Sequence, residues 1–324
     1  MFRTELNPLP SPFKITYSDS LVTMGSCFAE TIGSRLEINK FKVITNPFGV
    51  IFNPVSQFRL LEYALFETYP EDYTYIENQG IWYNYDFHSD FSALSREELR
   101  LTIEGSIRQI SRELKEANWL LLTFGTAIGY FLKDEERLVA NCHKIPAAKF
   151  RKELISQKQI LLAFKKLKDS LNNVNPDLKI IVTVSPVRHV KETLELNSVS
   201  KSILRITAHS MTNEHENVSY FPEYELLLDD LRDYRFYAKD MVHPSEVAQE
   251  YIWEKFYSSY LDENAKLNML EWEKVRKSLE HKPFHRKSEA HKKFLESTLK
   301  KLDELKDRIN VAKEIEDINK QLSK

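Results

Sequence analysis

The sequence predicts an α/β fold: a three-layer α/β/α domain with a mostly parallel sheet, followed by a C-terminal helical hairpin. Three observations predict it. Apolar runs such as WLLLTF and KIIVTV lack the polar alternation of a one-sided strand, so both of their faces need cover. Strand-like runs also alternate with amphipathic segments, the order that builds a parallel sheet with crossover helices. Charge density then changes abruptly: 29 of the 63 residues in 262–324 are charged, against 65 in the 261 residues before them. The chain therefore divides into a body, 1–261, and a charged helical extension, 262–324.

Taken in order, Leu21–Met24 reads as the first strand, and Phe28, Ile32 and Leu36 give the next segment one apolar helical face. Lys42–Thr45 is a second strand. The two Asn-Pro steps and Gly49 of NPFGVIFNPVS prescribe irregular backbone ahead of a helix over Gln57–Tyr69. The aromatic, turn-rich stretch 73–94 reads as a hairpin or lid, and a helix follows over Arg96–Glu116. Trp119–Thr123 is a central strand ending at Phe124-Gly125-Thr126, and an insertion carrying Asn141-Cys142-His143-Lys144 leads to a helix over Ser156–Asn173. Leu178–Ser185 is a strand, Lys191–Glu214 a crossover helix, Val218–Phe221 a strand and Glu246–Tyr257 a helix. In the extension, Asn264–Leu279 is helical and His281-Lys282-Pro283 interrupts it. The spacing of Leu299, Leu302, Leu305, Ile309, Ala312, Ile315, Ile318 and Leu322 then predicts a helix through 288–322. Its stripe packs back on the neighbouring helix or joins a second copy as a coiled coil, making a homo-oligomer.

Composition excludes several function classes. Lys and Arg number 46 against 48 Asp and Glu, so no global field selects nucleic acid or an anionic membrane. No stretch approaches the ~20 apolar residues that cross a bilayer. The start MFRTELNPLPSP lacks the basic-then-apolar order of a secretory signal, and two cysteines, Cys27 and Cys142, make no disulfide scaffold. A cytoplasmic setting is the expectation. Neither a dinucleotide fingerprint nor a Walker A run is present, and Cys142, His143 and His189 lack compact spacing with a fourth metal ligand. No cofactor and no metal are expected.

The carboxyl ends of parallel strands open onto a shared crevice, so chemistry should collect in the turns after Met24, after Thr123, near Ser185 and in a late loop. Ser26, at a strand-to-helix junction, is either a nucleophile or a helix cap, and backbone N–H groups there can receive negative charge. Cys27 is a thiol nucleophile or a small buried hydrophobe. Asp240 and His243 lie three residues apart ahead of a helix, so one turn brings them together. His243 would take the Ser26 proton while Asp240 fixes the imidazole tautomer. Otherwise Asp240 accepts loop hydrogen bonds and His243 is a plain polar residue. His143, Lys144, Arg188 and His189 are candidates for binding an acidic substrate or product, with loop anchoring as the alternative. The fork of Arg188 suits a substrate or an intramolecular carboxylate equally. The aromatic hairpin Trp82–Phe87 would shape a cleft or simply pack, and Tyr234–Tyr237 would support the Asp240–His243 turn.

The blocks TMGSCFAETIGSRL, NPFGVIFNP, NCHKIP, TVSPVRH, SKSILR, LRDYRFYAKDMVHPS and YIWEKF resemble the GSCFA-domain family over roughly residues 1–260. That family looks like a branch of the SGNH, or GDSL-like, hydrolases. The resemblance implies a doubly wound domain that hydrolyses or transfers ester-linked acyl groups. It implies Ser26 as nucleophile and Asp240, His243 and Pro244 as the late Asp-x-x-His-Pro motif. It also implies an oxyanion hole from the N–H groups of Ser26 and Gly49. Two departures stand out: Met24-Gly25-Ser26-Cys27 lacks the aspartate of a Gly-Asp-Ser turn, and Ala127 stands where a Gly-x-Asn block has asparagine. Asn141 is the expected replacement donor, with Thr126 second. The implied function is a serine-dependent esterase or O-acyltransferase acting on an O-acylated, for example O-acetylated, small molecule or glycan. A ligand-binding pseudoenzyme or an interaction module with a helical tail is the alternative.

Overall fold

The computed structural model describes residues 3–280, 284, 285 and 288–323, so the expected break at His281-Lys282-Pro283 lies outside the described residues. The chain opens with β1 (Ser20–Gly25), α1 (Cys27–Ile38), β2 (Lys42–Thr45), α2 (Pro54–Phe66) and the hairpin β3 (Tyr75–Asn78) and β4 (Ile81–Asn84). It continues through α3 (Arg96–Glu116), β5 (Trp119–Phe124), β6 (Ile128–Leu132), β7 (Leu138–Val139), β8 (Phe150–Leu154), α4 (Gln157–Val174) and β9 (Lys179–Val184). Then come α5 (Leu194–Glu214), β10 (Val218–Tyr220), the single turn α6 (Glu223–Glu225) running into a π-type turn at Leu226–Leu231, and α7 (Glu246–Tyr260). The extension consists of α8 (Glu263–Leu279), α9 (Glu289–Leu305) and α10 (Ala312–Leu322).

The central sheet has the order β10-β9-β5-β1-β2, and every pair in it is parallel. Alternate residues of its strands feed two cores. Val22, Met24, Leu120, Leu122, Phe124, Ile180 and Val182 meet α2 to α5 on one face. Leu21, Trp119, Leu121 and Ile181 meet α1 and α7 on the other. This is the three-layer α/β/α arrangement, and it explains the missing polar alternation: each large apolar strand residue removes about 1.5–3 kcal/mol worth of side chain from water, whichever face it uses. At the carboxyl edge Gly25, Thr123 and Thr183 stand side by side in register.

Several boundaries differ from expectation. The helix expected over Gln57–Tyr69 runs over Pro54–Phe66, because Asn53 caps it by accepting from Val55 N–H at 2.9 Å and Pro54 fits its first position. The helix expected from Lys191 starts at Leu194, behind Thr193, which accepts from Leu196 N–H. The insertion 127–154 is not a plain loop. It folds as an antiparallel sheet of order β7-β6-β8. The stretch 73–94 does contain a hairpin, β3 with β4.

In the extension, the single helix expected through 288–322 is two helices that pack against each other. Ile309 and Val311 are both buried, and two residues apart they cannot share one face of a straight helix, so the chain leaves helical geometry between Leu305 and Ala312. The apolar stripe is covered within the chain: Leu295, Leu302, Leu305, Ile309, Val311 and Ile318 surround Trp272 and Val275 of α8. The first half of the same helix, Ala265 and Met269, belongs to the α1/α7 core. Trp272 Nε1–H donates to the Ile38 carbonyl at 2.8 Å, and Lys40 lies over its ring and pairs with Glu314.

Candidate active site

Gly25 ends β1 at φ +138°, and a Cβ there would stand 2.1 Å from the Thr123 carbonyl oxygen, so only glycine lets β1 turn into α1 this close to β5. Ser26 follows as the N-cap residue of α1. Its side chain makes no capping bond, and its Oγ, in a residue 1% exposed, has no hydrogen-bond partner. The capping alternative therefore does not describe what this hydroxyl does, nor is it bonded to His243.

Asp240 and His243 meet as their spacing predicts. Asp240 Oδ1 accepts from the N–H groups of Val242 at 2.9 Å and His243 at 3.0 Å, and Oδ2 lies 2.7 Å from His243 Nδ1. The His243 amide and ring, with the Val242 amide, hold the Asp240 carboxyl down to about 2. A carboxylate at Nδ1 assigns the proton of the neutral ring to that nitrogen and turns the Nε2 lone pair outward. The loop is closed by backbone bonds from Ala238 N–H to His243 O at 2.7 Å and from Ser245 N–H to Phe236 O at 2.8 Å.

His243 lies on the rim of a cavity of about 470 Å³, within the ~300–1,000 Å³ typical of small-molecule sites. Cys27, the first residue of α1, lines it; Ser26 lies one residue behind. Phe52 and Asn53 contribute from the turn before α2, Thr126 from the turn after β5, and Ile128, Tyr130, Val139 and Ala140 from the insertion sheet. Val187, Arg188, His189, Val190 and Lys191 close it from the loop after β9. Two larger clefts, about 790 and 740 Å³, are lined mainly by surface charges of both signs and contain neither Asp240 nor His243. Burial pushes the Cys27 thiol up, against the opposing pull of its own amide.

The other expected residues divide. Arg188 and His189 reach the cavity. Arg188 lies over the rings of Tyr237 at 4.3 Å and Tyr234 at 5.2 Å, and no ion pair to a carboxylate holds it among the described residues. His143 and Lys144 do not line the cavity. His143 is a buried loop anchor instead: Nε2 bonds the Asn84 carbonyl at 2.7 Å, Nδ1 lies 3.2 Å from Ser89 Oγ, and the ring stacks on Tyr83. Burial pulls its pKa down to about 4. Lys144 is exposed at the end of that loop.

The expected oxyanion donors have other hydrogen-bond partners in this conformation. Ser26 N–H donates to Thr123 O at 3.2 Å and Gly49 N–H to Asn46 O at 2.8 Å, so neither amide is free in this conformation. Asn141 is tied to its own loop, donating to Ser89 Oγ at 3.2 Å and accepting from His143 N–H at 2.9 Å. Thr126 does line the cavity, but its hydroxyl lies 3.1 Å from Ser200 Oγ and accepts from Ile128 N–H at 3.0 Å.

Two residues escaped the sequence reading. Asn53 lines the cavity, and its Nδ2 has only long contacts, 3.4 Å to Thr126 O and 3.5 Å to Ile128 O. The second Asn-Pro step was its signal. Lys201, fully buried in α5, donates to the carbonyls of Gly125 and Ser185, both at 2.6 Å, and so ties together the exits of β5 and β9. Burial pulls its ammonium down to about 7 despite the attraction of buried Glu223, whose own carboxyl burial pushes well up. Lys201 occupies an apolar-stripe position with Leu204, Ala208 and Met211, which is the pattern that could have revealed it.

The GSCFA family signature matches residues 20–256, the segment carrying every residue of this site, and the signature of the GSCFA domain protein C-terminal domain matches residues 272–324. The chain belongs to the GSCFA family. Among solved structures, this GSCFA protein is similar to one described as a "putative platelet activating factor from Streptococcus pneumonia", at 12% identity and a TM-score of 0.38, covering 74% of this chain and 83% of that one. No curated protein matches it.

Proposed function

We propose that this GSCFA protein is a serine-dependent esterase or O-acyltransferase of SGNH type that acts on an O-acylated small molecule or glycan. One observation carries the reading: His243, paired with Asp240 at 2.7 Å, lines the same largely apolar cavity as Cys27, the first residue of α1, directly after Ser26. Ser26 Oγ attacks the ester carbonyl and gives its proton to His243 Nε2. The ring then protonates the leaving alcohol, and water or a second alcohol releases the acyl group by the reverse sequence. Because the hydroxyl has no partner, no hydrogen bond has to break for it to turn toward the cavity. A helix start leaves the amides of Cys27 and Phe28 without intrahelical acceptors, and with Asn53 Nδ2 they are the donors that would meet the oxyanion.

The burial of Ser26 favours a second reading, a binding protein that keeps the cavity without the chemistry. A serine-reactive phosphonate and an ester panel separate the two. The expected result is labelling at Ser26 and a fall in turnover of about 10³-fold or more in both Ser26→Ala and His243→Ala. Labelling of Cys27 instead, with loss of turnover in Cys27→Ala alone, transfers the nucleophile to the thiol. No labelling and no turnover in the intact chain leaves the binding protein.

A further inference from the structure

The cavity has a charge asymmetry. Its lining contains no aspartate or glutamate but includes Arg188 and Lys191; the Asp240 carboxylate stands behind His243, bonded to its Nδ1. Arg188 and Lys191 come from one loop, which also contributes Val187 and Val190 and whose His189 meets Phe52 edge-on at 5.4 Å. The insertion residues Ile128, Tyr130 and Val139 contribute lining without charge, while Arg188 is held against the loop that carries His243 by its stacking on Tyr237 and Tyr234. Tyr237 itself pairs with Pro244, the residue after His243.

We propose that the cavity takes an ester whose alcohol half carries a carboxylate or phosphate, bound by Arg188, and whose acyl half is apolar. This rests on the acyl-transfer reading above. His243 protonates the leaving oxygen, so the alcohol must lie on the His243 side, where the guanidinium is. The acyl chain then runs the other way, along the insertion sheet. Tyr234 and Tyr237 fix the position of the Arg188 fork without neutralising it: Nη1 donates to the Tyr234 hydroxyl at 3.5 Å and the fork also bonds Tyr237, and the further N–H groups are left for a planar or tetrahedral anion. Lys191 adds a second positive charge at the same end.

The test uses the full chain and three butyryl esters of similar size: of glycolate, of 2-hydroxyethyl phosphate and, as the neutral control, of glycolamide. Turnover is followed in the unmodified protein and binding in Ser26→Ala by calorimetry. The charged esters are expected to exceed the neutral one in kcat/KM by about tenfold or more, chiefly through KM. In Arg188→Gln that ratio falls to near one, and Arg188→Lys restores part of it. The carboxylate and phosphate arms identify which anion fits. Equal kcat/KM and equal affinity for charged and neutral esters, or a ratio unchanged in Arg188→Gln, overturns the assignment and leaves the esterase reading intact. Preferred binding of charged esters with no turnover of any does the reverse. Neither binding nor turnover overturns both.

Discussion

Burial takes the His143 ring out of the range in which a surface imidazole titrates. In the folded chain it stays neutral down to about 4, whereas the unfolded chain takes up a proton near 6.5. Between those values the unfolded state binds more protons, so stability rises with pH there and is lost as the solution is acidified. Urea unfolding at pH 5 is expected to show up to about 2 kcal/mol less stability than at pH 7 from this group. His143→Gln should flatten that difference; an equal slope in the variant would assign the acid sensitivity elsewhere. Asp240→Asn should keep the loop but lose the anion that orients His243, lowering ester turnover by about 10²- to 10⁴-fold with little change in unfolding midpoint. The Asp240–His243 pair was legible in the sequence because three residues and one turn settle it. The roles of Gly49, Asn141 and His143 were not. Each depends on which carbonyl or ring from a distant segment reaches it, Asn46 O for one and Asn84 O for another, and local spacing carries no trace of that.

Among the elements, α5 does more than cover the sheet. Its Lys201 donates to two carbonyls where β5 and β9 end, the turns that lead into Thr126 and the Arg188 loop. Lys201→Met would orphan both carbonyls at about 1–3 kcal/mol each, partly offset because no charge is then buried. A net loss of about 2 kcal/mol in urea unfolding is expected. A fall in ester turnover should accompany it. Unchanged stability and turnover would show that the two carbonyls find other donors. The parallel strands were readable from their uninterrupted apolar runs, and Arg96–Glu116 from its helical period. The β6–β8 sheet was not, because its strands mix buried Ile128 and Leu132 with half-exposed Tyr130 and exposed Lys152, a pattern too short and too polar to separate from loop.

At the scale of the molecule, the body and the extension share α8, whose two halves enter different cores. Trp272→Ala removes the side chain at that junction together with its bond to Ile38, a cost of about 3–5 kcal/mol. The extension is expected to unfold in a separate, earlier transition, seen by comparing proteolysis of α9 and α10 with the far-ultraviolet signal. A single coincident transition would contradict that. Because the apolar stripe is occupied within the chain, light scattering should return the mass of one copy. The sequence did reveal the stripe, but not the bend at Ile309 and Val311 that folds it inward. The helix α1 sets the geometry between the two regions. Its 12 residues, about 18 Å, begin at the cavity wall and end where Trp272 docks. A rod of that kind neither shortens nor hinges, so the anchorage of the tail at Trp272 is held a fixed helix length from the cavity wall.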